Sequence, residues 1–298
     1  MDVQKLLSEH RAVKITVGQS GADVYEIDEK YVLKHVVREA LPEEQFDAYA
    51  REAQFYQAQF DRQPTYLPDV LAAETSEGEI LILIKKYAPL RRSALDASML
   101  RKIMGTLAAL HTDDLPPFLR RGTEPAELFS DQRIAECVSG WASVLARHPG
   151  AFDESVPEKI ARRINELILW HDAEERVMAH GDFHWDNLLQ DEQGHILLCD
   201  WQGVHFGGAS GDLSFFLSRL GADGVQLNPA GLTDFYVAAI RERSGRQLDR
   251  QAIMRHMSAA NVITSFAFWH EYLHGSREER VREIFDKMRM DFEQWLSS

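Results

Sequence analysis

The stretch HGDFHWDNLL, residues 180–189, constrains this chain more than any other. Two His, two Asp and one Asn fall between the apolar pairs Val177–Met178 and Leu188–Leu189. Groups that polar cost free energy in an interior unless each is paired or put to use. A second segment, HILLCDWQGV (195–204), is a short apolar strand that ends at Asp200 and passes into a glycine-containing loop. The turn at 191–194 predicts a hairpin that brings Asn187 and Asp200 to one end. Each of them offers a hard oxygen ligand of the kind Mg²⁺ takes when water and phosphate complete its shell.

The rest of the chain reads as two textures. KITVGQSGADVYEI (14–27) predicts strand, turn and strand, and KYVLKHVV (30–37) predicts a further strand from its β-branched and apolar residues. In 42–60 the period changes. Phe46, Tyr49, Ala50, Ala53, Tyr56 and Phe60 fall at helical spacing, with Pro42 and two glutamates at the start. Residues 69–87 predict a hairpin turning at Glu77–Gly78. Beyond 90 the pattern is helical, with helices expected at 97–111, 126–147, 156–173, 230–244, 250–274 and 278–296 around the β-rich insert at 177–204. The expectation is an α+β, bilobal chain: a small β-rich N-terminal nucleotide-binding lobe over 1–88, and a larger mainly helical lobe over 89–298 that carries the hairpin and a substrate pocket. A length of 298 residues suits one large domain or two lobes.

HGDFHWDN followed by CDWQG resembles the catalytic and metal-binding loops of the aminoglycoside phosphotransferase and choline kinase family, small-molecule relatives of the protein kinases. The pattern H-x-D-x-x-x-x-N is matched by His180, Asp182 and Asn187, and the metal-binding Asp after the next strand by Asp200. The resemblance implies a protein-kinase-like fold and ATP-dependent transfer to a small-molecule hydroxyl. Asp182 would accept or orient the hydroxyl proton, and Asn187 and Asp200 would hold Mg²⁺ against the phosphates of ATP, or of GTP in its place. His180 would support the loop. GDLSFFL (211–217) is also similar and puts Asp212 where the family braces that loop.

A kinase mechanism also requires a lysine on an N-lobe strand paired with a glutamate on the following helix. Lys34 sits within the apolar YVLKHVV, and Glu52 lies beside the apolar stripe of 42–60. The phosphate-covering loop is less distinct. Gly18 and Gly21 flank a turn that is not G-x-G-x-x-G, and Ser20 with its neighbouring amides is the candidate phosphate contact. ILIKKYAPL (82–90) resembles the family's nucleotide hinge, with Tyr87 and Ala88 as candidates and Lys86 where the family often has an acid. Asp186 is a candidate for contact with a substrate amine. On the helix 261–275, Glu271 is a candidate partner for a cationic group, with Trp269 and Tyr272 as pocket walls.

A formal net charge of −14 argues against non-specific nucleic-acid binding and is compatible with a cationic or neutral acceptor. No apolar run approaches a membrane span, the N-terminus does not read as a signal peptide, and the two cysteines lack metal or scaffold spacing. The expectation is a cytoplasmic monomer or homodimer. Its acceptor would be an aminoglycoside or related antibiotic, with resistance as the role, or alternatively choline, an amino alcohol or a sugar. A competing chemistry is a metal-dependent phosphoesterase using His180, Asp182 and His184 as alternating ligands. A nucleotide-binding scaffold without catalysis is the third reading.

Overall fold

The computed structural model describes residues 3–15, 21–91, 95–120, 128–225 and 227–297. The N-terminal part holds helix α1 (Val3–Glu9), strands β1 (Ala12–Ile15), β2 (Asp23–Ile27) and β3 (Tyr31–Val37), helix α2 (Glu43–Gln59), and strands β4 (Val70–Thr75) and β5 (Glu79–Lys85). The five strands form one antiparallel sheet in the order β1-β2-β3-β5-β4. Between β2 and β3 the chain reverses through Asp28 and Glu29, both with positive φ (52° and 60°), the pair of left-handed residues that a tight hairpin turn demands.

Strand alternation divides the sheet into two faces. Leu33, Leu81, Leu83 and Ile27 pack with Val3, Leu6 and Leu7 of α1 on one side. Lys34 and its cross-strand partner Ile82 have the opposite parity and take the face covered by α2. The stripe expected on α2 is buried at Phe46, Tyr49, Ala53 and Tyr56. Phe60, expected on that stripe, instead lies just past the helix end and is 41% exposed, because the stripe stops with the helix.

The chain groups into two compact units, one of Met1–Arg121, Val177–Phe206 and Phe215–Gln247, the other of Gly122–Arg176, Gly207–Ser214 and Leu248–Ser298. The first contains the sheet, the helix Ala97–His111, the helix Pro229–Ser244 and a three-stranded sheet of Ala88–Pro89, Leu188–Gln190 and Ile196–Leu198. Asp96 caps the first of these helices by accepting from the Met99 N–H, and Asn228 with Pro229 starts the second.

The second unit is helical. Trp141, Ile160, Ile164, Leu167, Val262, Phe266, Phe285 and Met288 form its core, drawn from the helices Asp131–Leu145, Val156–Ala161, Ile164–Asp172, Arg250–Thr264 and Glu278–Ser297. Two helices depart from the expected spans. The segment 156–173 breaks at Arg162–Arg163, and 250–274 widens into a π-helix at Ser265–Trp269. The wide turn turns carbonyls outward: Phe266 O accepts from Trp141 Nε1 at 3.1 Å and Ala267 O from Arg133 Nη2 at 3.1 Å. Among the described residues, no helix is long and apolar enough to cross a membrane.

Candidate active site

The hairpin pairs Leu188 with Leu198, Leu189 with Leu197 and Gln190 with Ile196. Asp191 closes the turn by accepting from the His195 N–H at 2.7 Å. At the open end the Cys199 N–H donates to Asn187 O at 3.1 Å, so Asn187 and the start of the Asp200 loop lie side by side. Ala88 and Pro89 extend this small sheet by pairing with Gln190 and Leu189. Trp185, buried in the loop 180–187, donates its indole N–H to Leu90 O at 2.9 Å, which anchors that loop to the segment leaving the large sheet.

Within the loop each polar group has a distinct partner. His180 is fully buried; its Nε2–H donates to Cys199 O at 3.1 Å and its Nδ1 accepts from the Asp182 N–H at 3.3 Å. Both ring nitrogens are thus spent on backbone. Asn187 donates through Nδ2 to the Asp182 carbonyl at 2.9 Å and to Asp182 Oδ2 at 3.0 Å. That fixes the amide so that Oδ1 is the end presented as an acceptor. His184 Nε2 lies 3.4 Å from Asp182 Oδ2. Burial pushes the Asp182 carboxyl up, but hydrogen bonds from His184 and Asn187 outweigh it and hold the group below its ordinary value. It is therefore a carboxylate at neutral pH.

Lys34 reaches across from β3 to α2 and to the hairpin loop. Its Nζ lies 2.8 and 3.0 Å from the Glu52 oxygens and 3.2 Å from Asp200 Oδ1. Glu52 is 1% exposed. Burial alone would lower the Lys34 pKa, but Glu52 and Asp200 together raise it, so the ammonium is charged. Burial raises Glu52, and Lys34 only partly offsets this. Asp200 adopts a left-handed backbone, φ 65° and ψ 70°, and also accepts from Gln202 Nε2 at 2.6 Å. Directly after it, Trp201 stacks on Phe55 of α2 at 4.2 Å and lies 4.5 Å from the His180 ring. The two loops touch where both have glycine. Gly181 has φ +78°, and a Cβ there would sit 2.1 Å from the Gly203 carbonyl oxygen.

The first unit thus brings together Lys34, Glu52 and Asp200, and separately Asp182 with Asn187. Tyr87 and Ala88 occupy the segment leaving β5. The Tyr87 hydroxyl accepts from the Asp69 N–H at 3.4 Å, and Ala88 is exposed. Asp186 is exposed and lies 3.7 Å from Arg219 Nη2. Ser20 and Gly18 fall outside the described residues. Asp212 is buried in the first turn of the helix Ala209–Ala222, in the second unit. Trp269, Glu271 and Tyr272 lie in that unit too, where Trp269 meets Tyr272 edge to face at 6.2 Å and Tyr272 is 74% exposed.

In the sequence His184 enters only as an alternating ligand of the competing phosphoesterase reading, yet its ring stands beside Asp182; the alternation Asp182, His184, Asp186 is the signal for that contact. Gly181, Gly203, Trp201 and Gln202 were also missed. Among the described residues, His180, Asp182 and His184 do not form a metal-ligating group, since His180 turns both nitrogens to the backbone.

A sequence model of the phosphotransferase enzyme family matches residues 12–251, a span that includes the Lys34–Glu52 pair and both loops of the hairpin. The chain belongs to this family. Its fold is the protein-kinase-like α+β fold also found in a Plasmodium vivax ethanolamine kinase, with TM-score 0.60 at 10% identity over 100% of this chain and 83% of that one. It is similar to the ADP-bound aminoglycoside phosphotransferase APH(2'')-Ib, with TM-score 0.57 at 13% identity over 98% of each chain. A macrolide 2'-phosphotransferase from Brachybacterium faecium gives TM-score 0.53 at 17% identity, covering 94% of this chain and 91% of that one. No curated protein matches in sequence.

Proposed function

We propose that this member of the phosphotransferase family transfers the terminal phosphoryl group of ATP to a hydroxyl of a small molecule. The observation that carries the reading is the pairing of a charged Lys34, held by buried Glu52 and by Asp200, with an ionised Asp182 held by Asn187. Phosphoryl transfer asks for positioned charge rather than covalent chemistry from the protein. Lys34, kept protonated by two carboxylates, binds the nucleotide phosphates, and Glu52 fixes its position. Asp182 orients the acceptor hydroxyl. As the acceptor oxygen bonds to phosphorus and the bond to the nucleoside diphosphate breaks, the hydroxyl proton passes to Asp182 and then to solvent.

The residues present fit a magnesium ion. Asp200 offers a carboxylate and Asn187 the Oδ1 end of an amide whose nitrogen is already engaged, both hard oxygen donors. When bound, the ion supplies charge neutralisation on the phosphates.

For the acceptor we propose an aminoglycoside or related cationic antibiotic, which the acidic balance of −14 favours. A second reading, phosphorylation of choline, another amino alcohol or a sugar, is supported by the shared fold of the ethanolamine kinase. The test is a panel of aminoglycosides, other cationic antibiotics, choline, ethanolamine and sugars, each assayed for phosphorylation with ATP and with GTP. Asp182→Asn should lower kcat by about 10²–10⁴-fold with nucleotide binding unchanged. Turnover by that variant at the wild-type rate refutes the mechanism, and turnover of a metabolite alone selects the second reading.

A further inference from the structure

The helical unit contains a group of residues that the phosphotransfer chemistry does not use. His171 lies in the last turn of the helix Ile164–Asp172, Glu174 follows it three positions on, and His256 projects from the helix Arg250–Thr264. One ligand atom from each lies within 4.8 Å of the others, and no other such group of three occurs among the described residues. Two imidazoles and a carboxylate are a donor set for borderline cations such as Zn²⁺ and Co²⁺ rather than for Mg²⁺. Zinc bonds of about 2.0–2.1 Å place ligand atoms roughly 3.4 Å apart, so atoms within 4.8 Å of one another need to close by up to about 1.4 Å, within the reach of side-chain torsions.

Three further observations point the same way. His256 Nδ1 is buried and has no hydrogen-bond partner among the described residues. A buried polar atom left so costs about 1–3 kcal/mol, which a metal bond would remove. The His256 ring is held flat against Trp170, with centroids 5.0 Å apart and planes at 10°. Glu174 is oriented by Ser210, whose N–H donates to Oε1 at 3.0 Å and whose hydroxyl donates to Oε2, the kind of outer support that ligating carboxylates have.

We propose that His171, Glu174 and His256 bind one divalent transition-metal ion of the zinc class. Arg255 is the opposing charge; its guanidinium lies over the Trp170 ring at 4.5 Å.

The experiment uses the full chain, stripped with a chelator and titrated with Zn²⁺ alone by calorimetry and with Co²⁺ alone by visible absorption. One equivalent should bind, with the intense d–d bands of a four- or five-coordinate cobalt site and a raised melting temperature. His256→Gln and Glu174→Gln should each weaken binding at least tenfold. His195→Gln, on an exposed histidine, and Asp200→Asn, at the phosphotransfer site, should leave both titrations unchanged. No stoichiometric binding by the wild-type chain overturns the proposal whatever the variants do. So does wild-type affinity in folded His256→Gln, or loss of the cobalt bands in Asp200→Asn.

Discussion

Lys34→Met isolates the energetics of the buried pair. Glu52 is 1% exposed, and its carboxylate takes both close contacts to Lys34 Nζ, at 2.8 and 3.0 Å. Deleting one partner of such a pair typically costs about 3–5 kcal/mol because the other charge is left buried and uncompensated. Glu52 can escape that cost by taking up a proton, since its carboxyl is already held above the ordinary value by burial. The deficit must therefore depend on pH. In the variant the folded chain binds a proton that the unfolded chain has released, so its stability falls as pH rises above the unfolded glutamate value of about 4.3.

While the folded variant holds that proton and the unfolded chain has released it, the slope is about 1.4 kcal/mol per pH unit. The expected outcome is a deficit under about 1 kcal/mol near pH 5 and about 3–5 kcal/mol at pH 8. Urea unfolding followed by tryptophan fluorescence measures it; Trp201, stacked on Phe55 one position from Asp200, reports this neighbourhood. The double variant Lys34→Met/Glu52→Gln should recover most of the loss at pH 8 and show no pH dependence of this origin. A deficit that is flat between pH 5 and 8, or one that the double variant does not relieve, refutes the reasoning.

Glu174→Gln gives a pH effect in the helical unit. The carboxyl is raised from 4.5 to about 7, so the metal-free folded chain should lose about 3 kcal/mol as pH rises from 4.5 through 7, a loss the variant avoids. His256, lowered from 6.5 to about 4, acts in the opposite sense, losing stability as pH falls through that window; subtracting the variant's melting curve from the wild type's removes it. Equal melting temperatures of wild type and Glu174→Gln at pH 8 in chelator would sink this reading. Gly181→Ala should destabilise by about 2–4 kcal/mol, the sum of a left-handed backbone penalty and a clash with the Gly203 carbonyl. Its kcat should fall with it, because Asp182 follows directly; wild-type melting and turnover would show that the two loops do not need this approach.

The placement of Asn187, Asp200 and Glu52 was legible because local rules fix it. Alternation and a turn at Asp191–Gly194 determine that Asn187 and the Asp200 loop share an end, and the helical stripe of α2 determines which way Glu52 faces. What was not legible depends on contacts distant in sequence. The π turn at Ser265–Trp269 exists because Trp141 and Arg133 collect its carbonyls, and nothing in SFAFW announces that. His184 looks like any loop histidine until the short helical turn at Trp185–Asn187 folds its ring back beside Asp182. His171, Glu174 and His256 are unremarkable in sequence, since His256 is carried on a helix distant in sequence from the helix end that holds His171 and from Glu174 just beyond it.

The left-handed Asp200 shows how the two halves of the site are tied together. A non-glycine residue in that region costs of order 1 kcal/mol or more and persists only when its surroundings over-determine it. Aspartate tolerates it better than most residues. Here Lys34 and Gln202 both donate to its carboxylate. The next residue, Trp201, is locked between Phe55 of α2 and His180 of the loop that carries Asp182. Through four consecutive residues, 200–203, the helix that carries Glu52 and the loop that carries Asp182 therefore share one support. A shift of α2 that moved Glu52 would carry Phe55 and hence Trp201 with it, disturbing the lysine and the aspartate together. Asp182 and Lys34, the proposed base and the proposed phosphate ligand, are in this way positioned by the same packing.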